Sequence, residues 1–294
     1  MHIQIIDTAA IYERLLASDD PAVHSRIVAE ELAAPFAEVA AIFGQQPLDA
    51  FAIWGLRPEQ FAAEHRAATA AKISALAEAN AWSRAAAALE RAKAPFEPYR
   101  EQIGLDRIIF ALLVGEATGT SIEHGYTGFG GIPGWVMTIY SAPNPANLAR
   151  VEACTAHELH HNLRFRLFAF NPISVTVGEY MIAEGLAEAY AAELYGDDSV
   201  GPWVSEFDES RLDAARSIIG AALDRSGFAE VRGHIFGDAI ARDMGLPVAG
   251  VPDFAGYALG YKVVRAYQAR TGNSVAAATM LPAHEIIAES RFFA

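Results

Sequence analysis

The sequence predicts an α+β fold dominated by helices, and three observations carry that prediction. Apolar residues recur at spacings of three and four through much of the 294-residue chain, the signature of one helical face. Residues 57–94 are rich in alanine, the strongest helix former. Two apolar runs, 107–114 and 135–142, are short, rich in β-branched or aromatic residues and bounded by turn residues, which is the pattern of strands.

Residues 1–98 read as an N-terminal helical region. Ile11, Leu15 and Leu16, then Val28, Leu32, Phe36 and Val39, keep helical spacing, while Pro21, Pro35, Gly44 and Pro47 punctuate the segments. Phe61, Ile73, Leu76, Trp82 and Leu89 lie along the alanine-rich stretch, which predicts a long helix or a helical hairpin. Pro95 and Pro98 break that pattern and set a boundary. The division expected is 1–98 and 99–294, as two regions or as one continuous compact unit.

Beyond residue 100 the texture changes. RIIFALLV, Arg107–Val114, reads as a buried strand, GYTGFGGIPG (125–134) as a glycine-rich loop beside a site, and WVMTIYSA (135–142) as a second strand. The glycine loop has no neighbouring lysine and does not lead into a helix, so it fits neither phosphate-binding pattern. Asn144-Pro145 is a helix-start signal, and Leu148, Val151, Glu158, His161, Phe165 and Phe168 then hold helical spacing up to Pro172. A further helix is predicted over Val177–Tyr195, stopped by Gly196. Residues 203–294 read as shorter helical pieces broken at glycines and prolines.

Composition limits the function. Lys and Arg number 22 against 36 Asp and Glu, a formal charge of −14, which disfavours nucleic-acid binding because phosphate contact is mostly Lys/Arg work. Lysine occurs only at 72, 93 and 262, and no apolar run approaches the roughly 18 residues of a membrane span, so no membrane partner is expected. The single cysteine, Cys154, excludes an internal disulfide and fits a reducing compartment. MHIQIIDTAAIYERLL shows no basic segment followed by an apolar one, so no signal peptide is expected and the expected location is the cytoplasm.

The chemistry lies among the nine histidines, three of which fall at 157, 160 and 161. His157-Glu158-Leu159-His160-His161 is a His-Glu-x-x-His pattern inside a predicted helix. Residues four apart project from one helical face, so two imidazoles can bind one zinc ion while the adjacent Glu158 reaches a water. On the next helix, Glu184 and Glu188 are again four apart. Catalytic zinc commonly takes three protein ligands, so Glu184 fits as the third, after His157 and His161. Glu188 fits as a carboxylate accepting the outer N–H of a ligand histidine. Gly185, between them, costs about 1 kcal/mol in a helix and so implies a close approach to another element. His160 is expected to pack or to sit on the rim, His124 to be an ordinary loop residue and Cys154 a small apolar filler.

AHELHHNLRF, followed by AEGLAEAYAAELYG and AGYALGYKVVRAY, resembles a bacterial family of predicted zinc-dependent proteases, the YjaZ-like proteins, with the gluzincin arrangement of His-Glu-x-x-His and Glu-x-x-x-Glu. The similarity covers roughly residues 105–290. The resemblance implies a gluzincin-like core with a small sheet whose edge strand precedes the zinc helix, the place WVMTIYSA occupies; an exposed edge could hold a peptide by β-augmentation. It also offers Tyr257 and Tyr261 as donors to the oxyanion, with His234 a candidate by residue type and Tyr261 preferred. The expected activity is zinc-dependent hydrolysis of a peptide or protein substrate with Glu158 as general base. The alternatives are a catalytically silent zinc-containing binding or stress-related protein and a hydrolase of a non-peptide amide. The aminopeptidase signature Gly-x-Met-Glu-Asn is absent, which leans toward endopeptidase action.

Overall fold

A computed structural model describes residues 1–116 and 124–294. The chain divides into two compact units: Met1–Lys93 with Leu105–Glu158, and Ala94–Gly104 with Leu159–Ala294. This cut does not coincide with the one expected at 98/99, because the first residues of the chain pair with a strand beyond residue 100.

In the first unit, β1 (His2–Ile5), β2 (Arg107–Val114), β3 (Tyr126–Ile132) and β4 (Trp135–Tyr140) form one sheet in the order β1-β2-β4-β3. The β1–β2 and β2–β4 pairs are parallel, and β3–β4 is antiparallel. The central strand β2 is apolar and buried along seven of its eight residues, as expected for a strand covered on both faces. β1 was not anticipated: its four residues are too few to show a period, and its neighbours are helical. Helix α1 (Thr8–Leu16) starts on the Asp7 cap, whose carboxylate accepts from Ala10 N–H. Thr8 Oγ1 donates to Leu112 O at 2.5 Å, and Tyr12 Oη accepts from Val114 N–H at 2.8 Å, which ties α1 to β2. Burial raises the pKa of the Tyr12 hydroxyl.

The alanine-rich stretch forms two helices, α2 (Ala63–Glu78) and α3 (Ala81–Lys93), separated at Asn80, which takes the left-handed conformation at φ 54°. Residues 125–134 are not a loop. They form β3 and the Pro133–Gly134 turn into β4, with Gly134 at φ 103°. Glycines hide the strand pattern because they carry little β propensity. WVMTIYSA is likewise not the edge strand: β4 lies between β2 and β3, and β3 is the terminal strand.

Asn144 caps a short helix, Pro145–Leu148, in a capping box with Asn147. The motif helix α4 (Val151–Leu167) begins anew after it, rather than running continuously from Pro145. The boundary between the two units falls inside α4, between Glu158 and Leu159.

In the second unit, α5 (Val177–Tyr195) has its predicted bounds, capped by Thr176 with Glu179 in a capping box. It crosses α6 (Ala255–Thr271) at a pair of glycines. A Cβ on Gly185 would lie 2.2 Å from the Gly260 carbonyl, and one on Gly260 would lie 2.2 Å from Met181 O. The close approach implied by Gly185 is therefore to the backbone of α6. Among the described residues, no helix is long and apolar enough to cross a membrane.

Candidate metal centre

His157 and His161 are one turn apart on α4, and Glu184 comes from α5. Their ligand atoms lie within 4.8 Å of one another, and all three residues are buried. His161 Nε2 and Glu184 Oε2 are 3.1 Å apart. Zinc takes nitrogen and carboxylate ligands at about 2.0–2.2 Å, so two corners of its tetrahedron sit about 3.3–3.5 Å apart. The donor set of two imidazoles and one carboxylate fits zinc, and the His161–Glu184 separation is close to that value.

The rings and carboxylates around this group are held from several directions. His161 stacks on Phe165, one turn further along α4, with centroids 5.4 Å apart and planes 5° from parallel. Glu158 is 8% exposed and packs beneath β3, against Gly128 and Gly130. Glu188 is buried; its carboxylate accepts from Gly201 N–H at 2.8 Å and from the Trp203 indole at 2.5 Å. Neither Gly201 nor Trp203 is signalled by the sequence, since they meet Glu188 only through the turn after α5.

The oxyanion candidates separate. Tyr261 donates to Asp197 Oδ1 at 3.0 Å; burial and then this hydrogen bond push its pKa up to about 12, so the hydroxyl keeps its proton at neutral pH. Tyr257 packs among Trp203, Phe236 and Phe254, with ring centroids 5.9, 5.5 and 5.8 Å away. His234 donates from Nδ1 to Glu230 O at 2.9 Å and lines a cavity of about 360 Å³ whose walls include none of His157, Glu158, His161 or Glu184.

His160 is fully buried. Its Nε2 is 2.8 Å from Thr279 Oγ1, and that hydroxyl already donates to Val275 O, so His160 carries its proton on Nε2. Its ring packs on Tyr190, as expected for a packing residue. Arg164, one turn beyond His161, donates to the carbonyls of Thr279 and Leu281 at 2.6 Å, and burial lowers its pKa to about 10. It borders a cavity of about 540 Å³ that Phe165 and Ala183 also line. His124 lies just before β3, where its carbonyl accepts from the Asn147 side chain at 2.9 Å.

Comparison with known proteins decides the family. The model of a family described as predicted Zn-dependent protease (DUF2268) matches residues 81–288. The chain belongs to this family. The predicted Zn-dependent protease match takes in all of β2 to α6, with His157, Glu158, His161, Glu184 and Glu188, and leaves residues 1–80 and 289–294 outside. The uncharacterized protein YjfC of Bacillus subtilis (strain 168) is 41% identical over 196 residues, or 66% of this chain and 65% of the relative. The chain thus spans just under two thirds of that relative's length. No solved structure matches it significantly.

Proposed function

We propose that this protein is a zinc-dependent peptidase acting on peptide or protein substrates. The observation that carries the reading is the buried His157–His161–Glu184 group, with Glu158 adjacent to the first histidine on the same helix. His157, His161 and Glu184 would hold the metal. When bound, zinc supplies a Lewis acid that polarises the scissile carbonyl and makes water acidic enough to attack at neutral pH.

The chain's own residues do the rest. Glu158 takes the proton of the attacking water and passes it to the leaving amine, the work of a general base and then a general acid. Glu188 orders its surroundings through Gly201 and Trp203 and is the carboxylate proposed to orient a ligand histidine. Tyr261, protonated at neutral pH, is the proposed donor to the oxyanion and must turn from Asp197 to serve. β3, the strand packed over Glu158, is the strand along which an extended peptide would lie.

The test is Glu158→Gln, which keeps shape and removes the base. Zinc content stays at the wild-type value while peptide hydrolysis falls by about two to four orders of magnitude. Full activity in that variant contradicts the mechanism. A wild-type protein that holds zinc and cleaves no member of a broad peptide library is instead a silent zinc-containing protein.

A further inference from the structure

Glycine is a poor strand residue, and β3 (YTGFGGI) carries three of them in seven positions. A positive φ does not account for them, because none of Gly128, Gly130 and Gly131 has one; Gly130 and Gly131 lie at an irregularity in the pairing with β4 between Phe129 and Ile132, and Gly128 lies before it. Alternate residues of a strand share a face, so Gly128 and Gly130 point one way and Phe129 and Gly131 the other. Phe129 meets Trp54 on its side, with centroids 5.4 Å apart, and a Cβ on Gly131 would find only the Phe129 ring at 3.7 Å. On the opposite face there is no room. A Cβ on Gly128 would lie 2.1 Å from Glu158 Oε1 and 2.4 Å from its Cδ and Cγ. One on Gly130 would lie 2.0 Å from the Glu158 carbonyl oxygen.

We propose that Gly128 is the positioning residue for the Glu158 carboxylate, and that Gly130 seats the backbone of α4 beneath it. The inference rests on the reading of Glu158 as general base. The two glycines differ in what a methyl group would displace. At 130 it meets helix backbone, which cannot move aside without shifting α4. At 128 it meets the Glu158 side chain from Cγ outward, which can swing away without moving α4 and then leaves the direction that catalysis needs. A misplacement of about 1 Å in a reacting group can cost about 10²-fold in rate.

The test compares Gly128→Ala, Gly130→Ala and Gly131→Ala in the full chain by zinc content, thermal melting, and kcat and KM on one cleaved peptide. Gly131→Ala behaves as wild type. Gly130→Ala melts lower. Gly128→Ala keeps its zinc and melts within about 2 °C of wild type, while kcat falls by about tenfold or more and KM holds. In a Glu158→Ala background, where no carboxylate is left to displace, Gly128→Ala lowers the residual kcat by less than about twofold, a non-additivity that purely structural damage does not produce. Wild-type kcat in Gly128→Ala, or strictly additive losses in the double variant, overturns the proposal. A crystal structure of zinc-loaded Gly128→Ala reads the same point without turnover, so it stands apart from the fate of the peptidase reading. A Glu158 carboxylate moved by about 1 Å or more over an unmoved α4 supports the proposal, and an unmoved carboxylate overturns it.

Discussion

Glycine makes room in two regions of this molecule, for different things. In β3, Gly128 admits the side-chain carboxylate of Glu158. Where α5 crosses α6, Gly185 and Gly260 admit each other's backbone. The difference is what yields when room is lost. A side-chain end can rotate, so crowding at β3 is read in chemistry. A helix backbone cannot, so crowding at the crossing is read in stability.

The largest effect expected from breaking this contrast is at the crossing. Gly185→Leu forces α5 and α6 apart and lowers stability by about 4 kcal/mol, measured by urea denaturation. An unchanged midpoint contradicts the crossing. Next comes Tyr261, one residue beyond Gly260 on α6. Tyr261→Phe retains zinc and lowers kcat by about 10²–10³-fold if its hydroxyl meets the oxyanion, as proposed. A loss below about threefold leaves it as a partner of Asp197 alone.

On the sheet side, a smaller effect is expected from the pair of Arg84 and Glu152, which meet at 2.5 and 2.7 Å in two parallel hydrogen bonds. Burial pulls the Glu152 pKa up, but Arg84 outweighs it and holds the carboxyl below its usual value. Because the folded pKa is the lower one, the pair's contribution is present above the ordinary carboxylate range of about 4.3 and is lost as pH falls through the folded value. Solvent screening of this partly exposed pair holds the cost of Arg84→Ala to about 0.5–1 kcal/mol at pH 7, and the gap to wild type narrows in acid to what the Arg84 hydrogen bond to Ala79 O contributes. A gap independent of pH would show that packing, not charge, joins these residues.

The motifs of the candidate centre were legible because they are local. His157 and His161, or Glu184 and Glu188, share a helical face whatever the rest of the chain does. Gly185 was legible for another reason: a glycine inside a strong helix is costly, so it implied the contact that Gly260 provides. What stayed hidden was tertiary. β1 is too short to carry a period, and the hydrogen bonds of Glu188 to Gly201 and Trp203 depend on how the chain turns after α5. β3 has the signature of a loop because the glycines that let it lie on Glu158 also erase its strand pattern, and the edge place that the family resemblance implies for 135–142 falls to β3 instead.

The central claim, that His157, His161 and Glu184 form one zinc site, is tested most directly by metal analysis of the purified chain at neutral pH. The prediction is one zinc per wild-type chain, kept in Glu158→Gln and lost in His157→Ala and in Glu184→Ala. Zinc absent from the wild type after reconstitution, or stoichiometric zinc persisting in both ligand variants, would contradict it.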